Sequence, residues 1–193
     1  SESIVPKIWL YKKNEHKFEC TKSEKKIAES LTPKKSKMFL ESRGLLRKSL
    51  SNLFDIDPLK IEVFAKPNKP IRLPDKMGYV SMSHSDDALL LAWNKTRVGI
   101  DIERYDRNFN YKELARKYFL KIDEINYQNL DRIEVLNRWT AKEASIKWDE
   151  GSIAKDLINW KYDKKKQITL HKKKKIKLDI RQFYFLKWTI SIA

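Results

Sequence analysis

The sequence predicts an α+β fold, in which helices and antiparallel strands form separate stretches of one chain. Apolar residues recur among basic and polar ones at helical spacing over 23–54 and 133–148. Apolar and polar residues alternate between lysine runs over 158–190, as is typical of antiparallel strands. With 193 residues, of which 41% are hydrophobic, the chain can form one substantial domain or two small ones with a buried core.

The first part of the chain is predicted to contain a strand, a divided helical region and a second strand. A strand is expected over 4–10, and the helical region over 23–54 is divided at Pro33, because proline interrupts a helix interior. Arg43 and Arg47 lie four residues apart and therefore share a helix face. A strand is expected over 61–64, followed by a loop over 66–70.

The middle of the chain is predicted to form three strands and two helices. Strands are expected over 79–83 and 88–93, on either side of the turn-rich segment Ser83-His84-Ser85-Asp86-Asp87. A third strand is expected over 97–103, and helices over 111–119 and 133–148. The segments Ala88–Trp93 and Phe185–Ile190 are similar to each other, which hints at an internal duplication with its junction near 94–98.

Composition limits the partners, the bound metals and the cellular compartment that can be expected for this protein. Lys and Arg total 42 against 26 Asp and Glu, and the resulting charge of +16 favours an anionic partner: nucleic acid, membrane, nucleotide cofactor or acidic protein. The single cysteine, Cys20, excludes an internal disulfide and a cysteine-rich zinc site. No apolar run approaches the roughly 20 residues of a membrane span. A cytoplasmic protein is expected.

Two short segments carry the chemistry. In Val98-Gly99-Ile100-Asp101-Ile102-Glu103 the two carboxylates fall on one side of a strand. In Trp139-Thr140-Ala141-Lys142-Glu143-Ala144-Ser145-Ile146-Lys147 the residues Glu143 and Lys147 share a helix face. Taken singly, these are also the features of a solvated strand end and of an ordinary helix ion pair. Together they suggest a site for Mg²⁺, which prefers oxygen ligands and shares them with substrate phosphates.

These two segments resemble the signature of the 4′-phosphopantetheinyl transferases. The family pattern is apolar-Gly-apolar-Asp-x-Glu, then an aromatic residue, a small one, x-Lys-Glu-Ala/Ser, and a lysine four places after the glutamate. The resemblance implies transfer of 4′-phosphopantetheine from coenzyme A to a serine of an acidic acyl or peptidyl carrier protein. It implies Mg²⁺ ligands at Asp101, Glu103 and Glu143, with Glu143 and Lys147 catalytic. Lys142 is expected to support phosphate or solvent contacts.

The resemblance also implies where coenzyme A binds. His84 in Ser83-His84-Ser85 is expected at the 3′-phosphate, as is Arg43 on the family's basic helix. Asn68-Lys69-Pro70 stands where the family has Gly-Lys-Pro near the adenine. The coenzyme A residues implied are therefore Arg43, Lys69, Pro70, Ser83, His84 and Lys147. The nearby Lys34, Lys35 and Lys37 cannot be told apart by sequence.

The length suits the longer, monomeric branch of the family, of the surfactin-synthetase-activator type. This branch implies two similar α+β halves related by pseudo-two-fold symmetry, with the active site between them. The expected halves are 1–96, which binds the nucleotide, and 97–193, which carries the metal and catalytic motif.

Two other functions remain open on sequence alone. A nucleic-acid-binding protein is favoured by the charge of +16, although no zinc-finger spacing or aromatic RNA-binding motif is present. A Mg²⁺-dependent nuclease would also use clustered carboxylates, but it leaves the Ser-His-Ser segment unexplained. The lysine runs 164–166 and 172–175 are interpreted as solvated hairpin edges.

Overall fold

The protein is described here by a computed structural model. It describes residues 5–13, 19–65, 69–123, 125–126, 128 and 130–193. The helices are α1 (Lys22–Glu29), α2 (Pro33–Phe54), α3 (Tyr111–Tyr118), α4 (Leu120–Asp123), α5 (Arg132–Trp148) and α6 (Ile153–Asp156). The strands are β1 (Lys7–Lys12), β2 (Tyr79–His84), β3 (Ala88–Asn94), β4 (Ile100–Arg104), β5 (Trp160–Asp163), β6 (Ile168–His171), β7 (Lys177–Asp179), β8 (Arg181–Phe185) and β9 (Trp188–Ile192). No helix within these ranges is long and apolar enough to cross a membrane.

The strands of the described residues form three antiparallel sheets of three strands each. The first sheet has the order β1-β3-β2, the second β4-β9-β8 and the third β5-β6-β7. Helices together with purely antiparallel sheets are typical of an α+β fold, as predicted. The first two sheets share a connectivity, because in each the first strand pairs with the second strand of a later hairpin. In each sheet a long helix lies in sequence between the first strand and the hairpin: α2 in the first sheet and α5 in the second.

The shared connectivity does not extend to the segments that suggested duplication. Ala88–Trp93 lies within the single strand β3, whereas Phe185–Ile190 crosses the tight turn between β8 and β9. Leu186 in that turn has a φ of 50°, which is left-handed. The two segments therefore differ in local structure, because one is a single strand and the other consists of a turn with the adjoining ends of β8 and β9. Pseudo-two-fold symmetry of the halves stays a prediction.

Several predicted elements are confirmed and others shift. Pro33 is the first residue of α2, where its missing N–H costs no hydrogen bond, and the helical region is divided there as expected. The strand predicted over 61–64 is wrong, since only an isolated bridge between Phe64 and Arg72 forms. The first strand begins at Lys7 rather than residue 4. The predicted loop at Lys66-Pro67-Asn68 lies outside the described residues.

The core between the first two sheets follows from strict alternation along β4 and β9. Ile100, Ile102 and Ile190 pack against Leu90 and Ala92 of β3, and all five are at most 2% exposed. The intervening residues of β4 and β9 point the other way, towards α5. This alternation leaves the second sheet with one apolar face and one polar face.

The polar face of the second sheet is joined to α5 by hydrogen bonds. Thr140 and Ser191 hydroxyls are 2.8 Å apart, and the Thr189 hydroxyl donates to the Asn137 side chain at 3.1 Å. All four residues are buried. Because buried polar groups without partners are costly, these bonds fix α5 in one position over the sheet.

Candidate active site

A close approach between β4 and α5 brings the two sequence motifs together. Gly99 precedes β4, and a Cβ atom built on it would lie 1.9 Å from the carbonyl oxygen of Ala144 and 2.5 Å from the backbone nitrogen of Trp148. Only glycine permits this contact with the helix backbone. The carboxylates of β4 consequently lie beside the last turns of α5.

Both motifs line one cavity of about 510 Å³. All the predicted site residues line it: Arg43, Lys69, Pro70, Ser83, His84, Asp101, Glu103, Glu143 and Lys147. They come from α2, the loop at 69–70, β2, β4 and α5. The sequence prediction that distant segments converge is thus matched by a single concave site of ligand-binding size.

Asp101 is the most constrained of the three carboxylates. It is 2% exposed, and its Oδ1 accepts hydrogen bonds from the Ser83 hydroxyl at 2.7 Å and from the Lys147 ammonium at 2.8 Å. Its Oδ2 is buried and accepts no N–H or hydroxyl hydrogen bond from the described residues, while a hydrogen bond between the Glu143 and Asp101 carboxyl groups helps to raise the pKa of Glu143. A buried, half-satisfied carboxylate of this kind has one oxygen left for a further ligand.

Glu143 and Glu103 have pKa values that reflect crowding of negative charge. Burial, followed by the charge of Asp101, raises the pKa of Glu143 to about 9. The same two causes, in the same order, raise the pKa of Glu103 above its usual range, against the lowering effect of Arg107. Carboxylates that share a site cannot all ionise readily without a cation, and such groups mark functional sites more often than structural ones.

The donor set fits Mg²⁺ in chemistry although the carboxylates are not gathered around one point. Asp101, Glu103 and Glu143 offer hard oxygen ligands, and Oδ2 of Asp101 accepts no N–H or hydroxyl hydrogen bond from the described residues. Across the described ranges, however, no three His, Cys, Asp or Glu side chains are arranged to hold a metal ion. The Lys147 ammonium instead lies between Asp101, at 2.8 Å, and Glu143, at 3.8 Å.

Arg43 brings a buried positive charge to the same cavity. It is 3% exposed, and only its Nη2 has a hydrogen-bond acceptor, the Ala65 carbonyl at 3.2 Å. Nε and Nη1 are buried without partners within the described part of the chain. Its guanidinium lies 5.0 Å above the ring of Phe39, and burial lowers its pKa. Two unsatisfied cationic donors facing a cavity are suited to an anionic ligand.

Arg47, which shares a helix face with Arg43 by sequence, has a structural role instead. Its guanidinium makes a bidentate ion pair with Glu24 and donates to the carbonyls of Pro58 and Ile61. It does not line the cavity. Of these two arginines, only Arg43 lines the cavity, and its assignment to the 3′-phosphate stays a prediction.

The surroundings of His84 keep its imidazole neutral near pH 7, because they lower its pKa. Burial, and then the charges of Lys13 and Lys147, lower its pKa to about 4. Its Nδ1 is buried and has no partner among the residues described. The neighbouring Ser83 is differently placed, because its hydroxyl donates to Asp101 and accepts from the Ile102 amide at 3.2 Å. Ser83 therefore orients Asp101.

The cavity also contains residues that sequence reasoning left undecided or missed. Of the three ambiguous lysines near Pro33, only Lys35 is among the lining residues. Arg97 was missed; it lies in the wall with its guanidinium 5.5 Å from the centre of the Trp148 ring. Its position just before the Val-Gly-Ile-Asp segment was the available signal, since a cation there must lie near the two carboxylates.

Lys142 does not behave as predicted. It was expected to contact phosphate or solvent, but it is fully buried, with its ammonium 2.7 Å from Asp123 and 4.5 Å above the ring of Phe119. Burial lowers its pKa to about 8. Lys142 and Glu143 are consecutive, so their side chains are rotated by about 100° from each other around the helix axis. This rotation directs Lys142 away from the cavity.

Comparison with known proteins agrees with the geometry of this site. No curated protein matches the chain significantly. Residues 97–192, which contain β4, α5 and every carboxylate of the site, match the family model described as the 4′-phosphopantetheinyl transferase superfamily. The match supports a 4′-phosphopantetheinyl transferase in general.

Proposed function

We propose that this protein transfers the 4′-phosphopantetheine group from coenzyme A to a serine hydroxyl of an apo acyl or peptidyl carrier protein. The observation that carries the proposal is the content of one cavity. It combines the carboxylates of Asp101, Glu103 and Glu143 with the unpartnered guanidinium donors of Arg43 and an unpartnered ring nitrogen of His84. A diphosphate substrate with a further phosphate needs both kinds of group.

The phosphate end of the proposal depends on Arg43 and His84. Coenzyme A carries a 3′-phosphate on its ribose, which would accept hydrogen bonds from Nε and Nη1 of Arg43. Such a bond compensates the burial of a charge that otherwise lacks part of its hydrogen bonding. Lys69 and Pro70, at another part of the wall, are assigned to the nucleotide by the family resemblance.

The reacting end depends on β4 and α5. A bound Mg²⁺ supplies neutralisation of the diphosphate charge and lowers the pKa of acids beside it. Asp101, Glu103 and Glu143 are the residues that would hold it. Glu143 accepts the proton of the attacking serine, directly or through water, once its carboxylate is ionised. Lys147 neutralises phosphate charge as the bond to the leaving adenosine 3′,5′-bisphosphate breaks.

The finer assignment follows the same resemblance. We place the chain in the longer, monomeric branch, with residues 1–96 binding the nucleotide and 97–193 carrying the metal and catalytic groups. The partner is an acidic carrier protein, which the charge of +16 would attract. The expected setting is the cytoplasm.

Intact-mass measurement of a carrier protein tests the proposal. Apo carrier proteins from fatty-acid, polyketide and nonribosomal peptide systems are incubated with the protein, coenzyme A and MgCl₂. At least one carrier should gain the mass of one phosphopantetheine group, and its Ser→Ala variant should gain nothing. The Asp101→Ala enzyme serves as the control for contaminating activity.

Lack of any mass gain across the panel would contradict the transferase proposal. Tight, salt-sensitive binding of DNA or RNA in the same preparation would then favour the nucleic-acid alternative. Cleavage of the nucleic acid on adding Mg²⁺ would instead favour the nuclease.

A further inference from the structure

The carboxylates of the active site are paired with cations that belong to the chain itself. The Lys147 ammonium is 2.8 Å from Oδ1 of Asp101 and 3.8 Å from Oε2 of Glu143. The side chain of Lys147 is 24% exposed, whereas that of Asp101 is 3% exposed. A buried carboxylate without a counter-charge is strongly destabilising, so this lysine balances charge that the fold has taken out of water.

We propose that Lys147 is a resident counter-ion of this site, and that a divalent cation binds by taking its place on Asp101 and Glu143. The proposal rests on the metal dependence of the proposed function. It assigns Lys147 two positions, one on the carboxylates in the metal-free protein and one on the substrate phosphates in the loaded protein.

Electrostatics makes the two occupants mutually exclusive. The remaining oxygen of Asp101, Oδ2, is buried and accepts no N–H or hydroxyl hydrogen bond within the described part of the chain. A divalent cation bound there would lie within a few ångströms of the ammonium, where like charges repel strongly in a partly buried site. Departure of the ammonium frees oxygens on both Asp101 and Glu143.

The fold allows the Lys147 ammonium to be replaced by a metal ion without movement of the Asp101 carboxylate. Asp101 keeps its hydrogen bond from Ser83, whose hydroxyl is itself fixed by the Ile102 amide of β4. The carboxylate therefore stays in place when the ammonium leaves. Lys147 is in the last turn of α5, and its four-carbon stem is flexible enough to reach into the cavity.

Arg107 is a second, weaker counter-ion in the site, and it pairs with Glu103. It forms an ion pair with Glu103, but its side chain is 43% exposed and that of Glu103 is 16% exposed. Exposed ion pairs contribute little, because water and salt screen them. Removing Arg107 should therefore affect metal binding less than removing Lys147.

Titration with MgCl₂ alone, without coenzyme A or carrier, tests the proposal. Lys147→Met should bind Mg²⁺ more tightly than wild type in calorimetry, by roughly 5- to 150-fold, the usual range for coupling between two ligands. Arg107→Met should show a smaller gain. Lys164→Met is the matched control, because Lys164 pairs with Glu134 outside the cavity; it should bind Mg²⁺ as wild type does. NaCl at equal ionic strength corrects for screening.

Unchanged or weaker Mg²⁺ affinity in Lys147→Met would overturn the proposal. A double-mutant cycle covers the case in which Lys147→Met is too unstable to titrate. Adding Asp101→Asn should then restore folding in urea melts, because it removes the uncompensated charge. If Lys147→Met folds poorly and Asp101→Asn does not restore it, Lys147 is not a counter-ion. Transfer to a carrier is measured separately, so failure of the proposed function and failure of this exchange are distinguishable.

Discussion

Replacement of His84 by asparagine should abolish a specific loss of stability in mild acid. The imidazole has a pKa of about 4 in the folded protein, against 6.5 as its ordinary value. Because the folded pKa is the lower one, the unfolded chain takes up the proton first as the pH falls. The neutral, half-buried His84 thus contributes stability that is fully present only well above pH 6.5 and is lost progressively towards pH 4.

The size of the effect follows from these two values. Linkage between them gives a loss of about 2 kcal/mol between pH 7 and pH 5, and about 3 kcal/mol when the pH is below both. Urea unfolding of wild type and His84→Asn at pH 7 and pH 5 measures it. The carboxylates common to both proteins cancel in the comparison, so the wild type should lose about 2 kcal/mol more than the variant. Equal losses in the two proteins would refute the burial argument for His84.

Three further substitutions test other parts of the site. Gly99→Ala should cost about 3 kcal/mol or more in urea unfolding, at the upper end of overpacking effects, because the new atom meets helix backbone; a loss below about 1 kcal/mol would show that β4 can move away from α5. Arg43→Gln should weaken coenzyme A more than dephospho-coenzyme A by about 1.5–3 kcal/mol in calorimetry, and equal losses would remove Arg43 from the 3′-phosphate. Glu143→Gln should reduce single-turnover transfer at least roughly 100-fold with an unchanged melting temperature, so wild-type rates would exclude Glu143 as the base.

Sequence periodicity was sufficient to predict which face of each element carries the motif residues, and the family resemblance supplied the expectation that the two faces meet. Asp101 and Glu103 alternate with isoleucines, and this places both carboxylates on the face of β4 towards α5. Glu143 and Lys147 lie one turn apart on the helix that covers that face. Period two in the strand and 3.6 in the helix determine these faces locally, whereas the packing of one face on the other is a tertiary contact.

Tertiary contacts decided what periodicity could not. Arg43 and Arg47 share a helix face, but only Arg47 forms an ion pair with a carboxylate, that of Glu24 on α1. The Arg47 guanidinium is therefore not available to a ligand. Lys142 is adjacent to Glu143 in the motif, yet its partner Asp123 lies on α4. The function of a charged side chain depends on partners distant in sequence, which spacing within one element does not reveal.

Ser83 illustrates the same limit for a neutral residue. Its assignment to coenzyme A stays a prediction of the family resemblance, and the structure adds that its hydroxyl contacts Asp101 and the Ile102 amide across the two sheets. A serine in a turn-rich segment gives no sequence signal for such a bridge. The contact became visible only when β2 and β4 were seen side by side.

A crystal structure of the protein with coenzyme A and Mg²⁺ would test the shared cavity most directly. We predict electron density for the metal at Asp101 and Glu143, with the Lys147 ammonium moved from Asp101 towards the diphosphate. The 3′-phosphate should lie at Arg43 and His84. Coenzyme A bound outside the cavity, or a metal held without Asp101, would contradict the proposed function of this site.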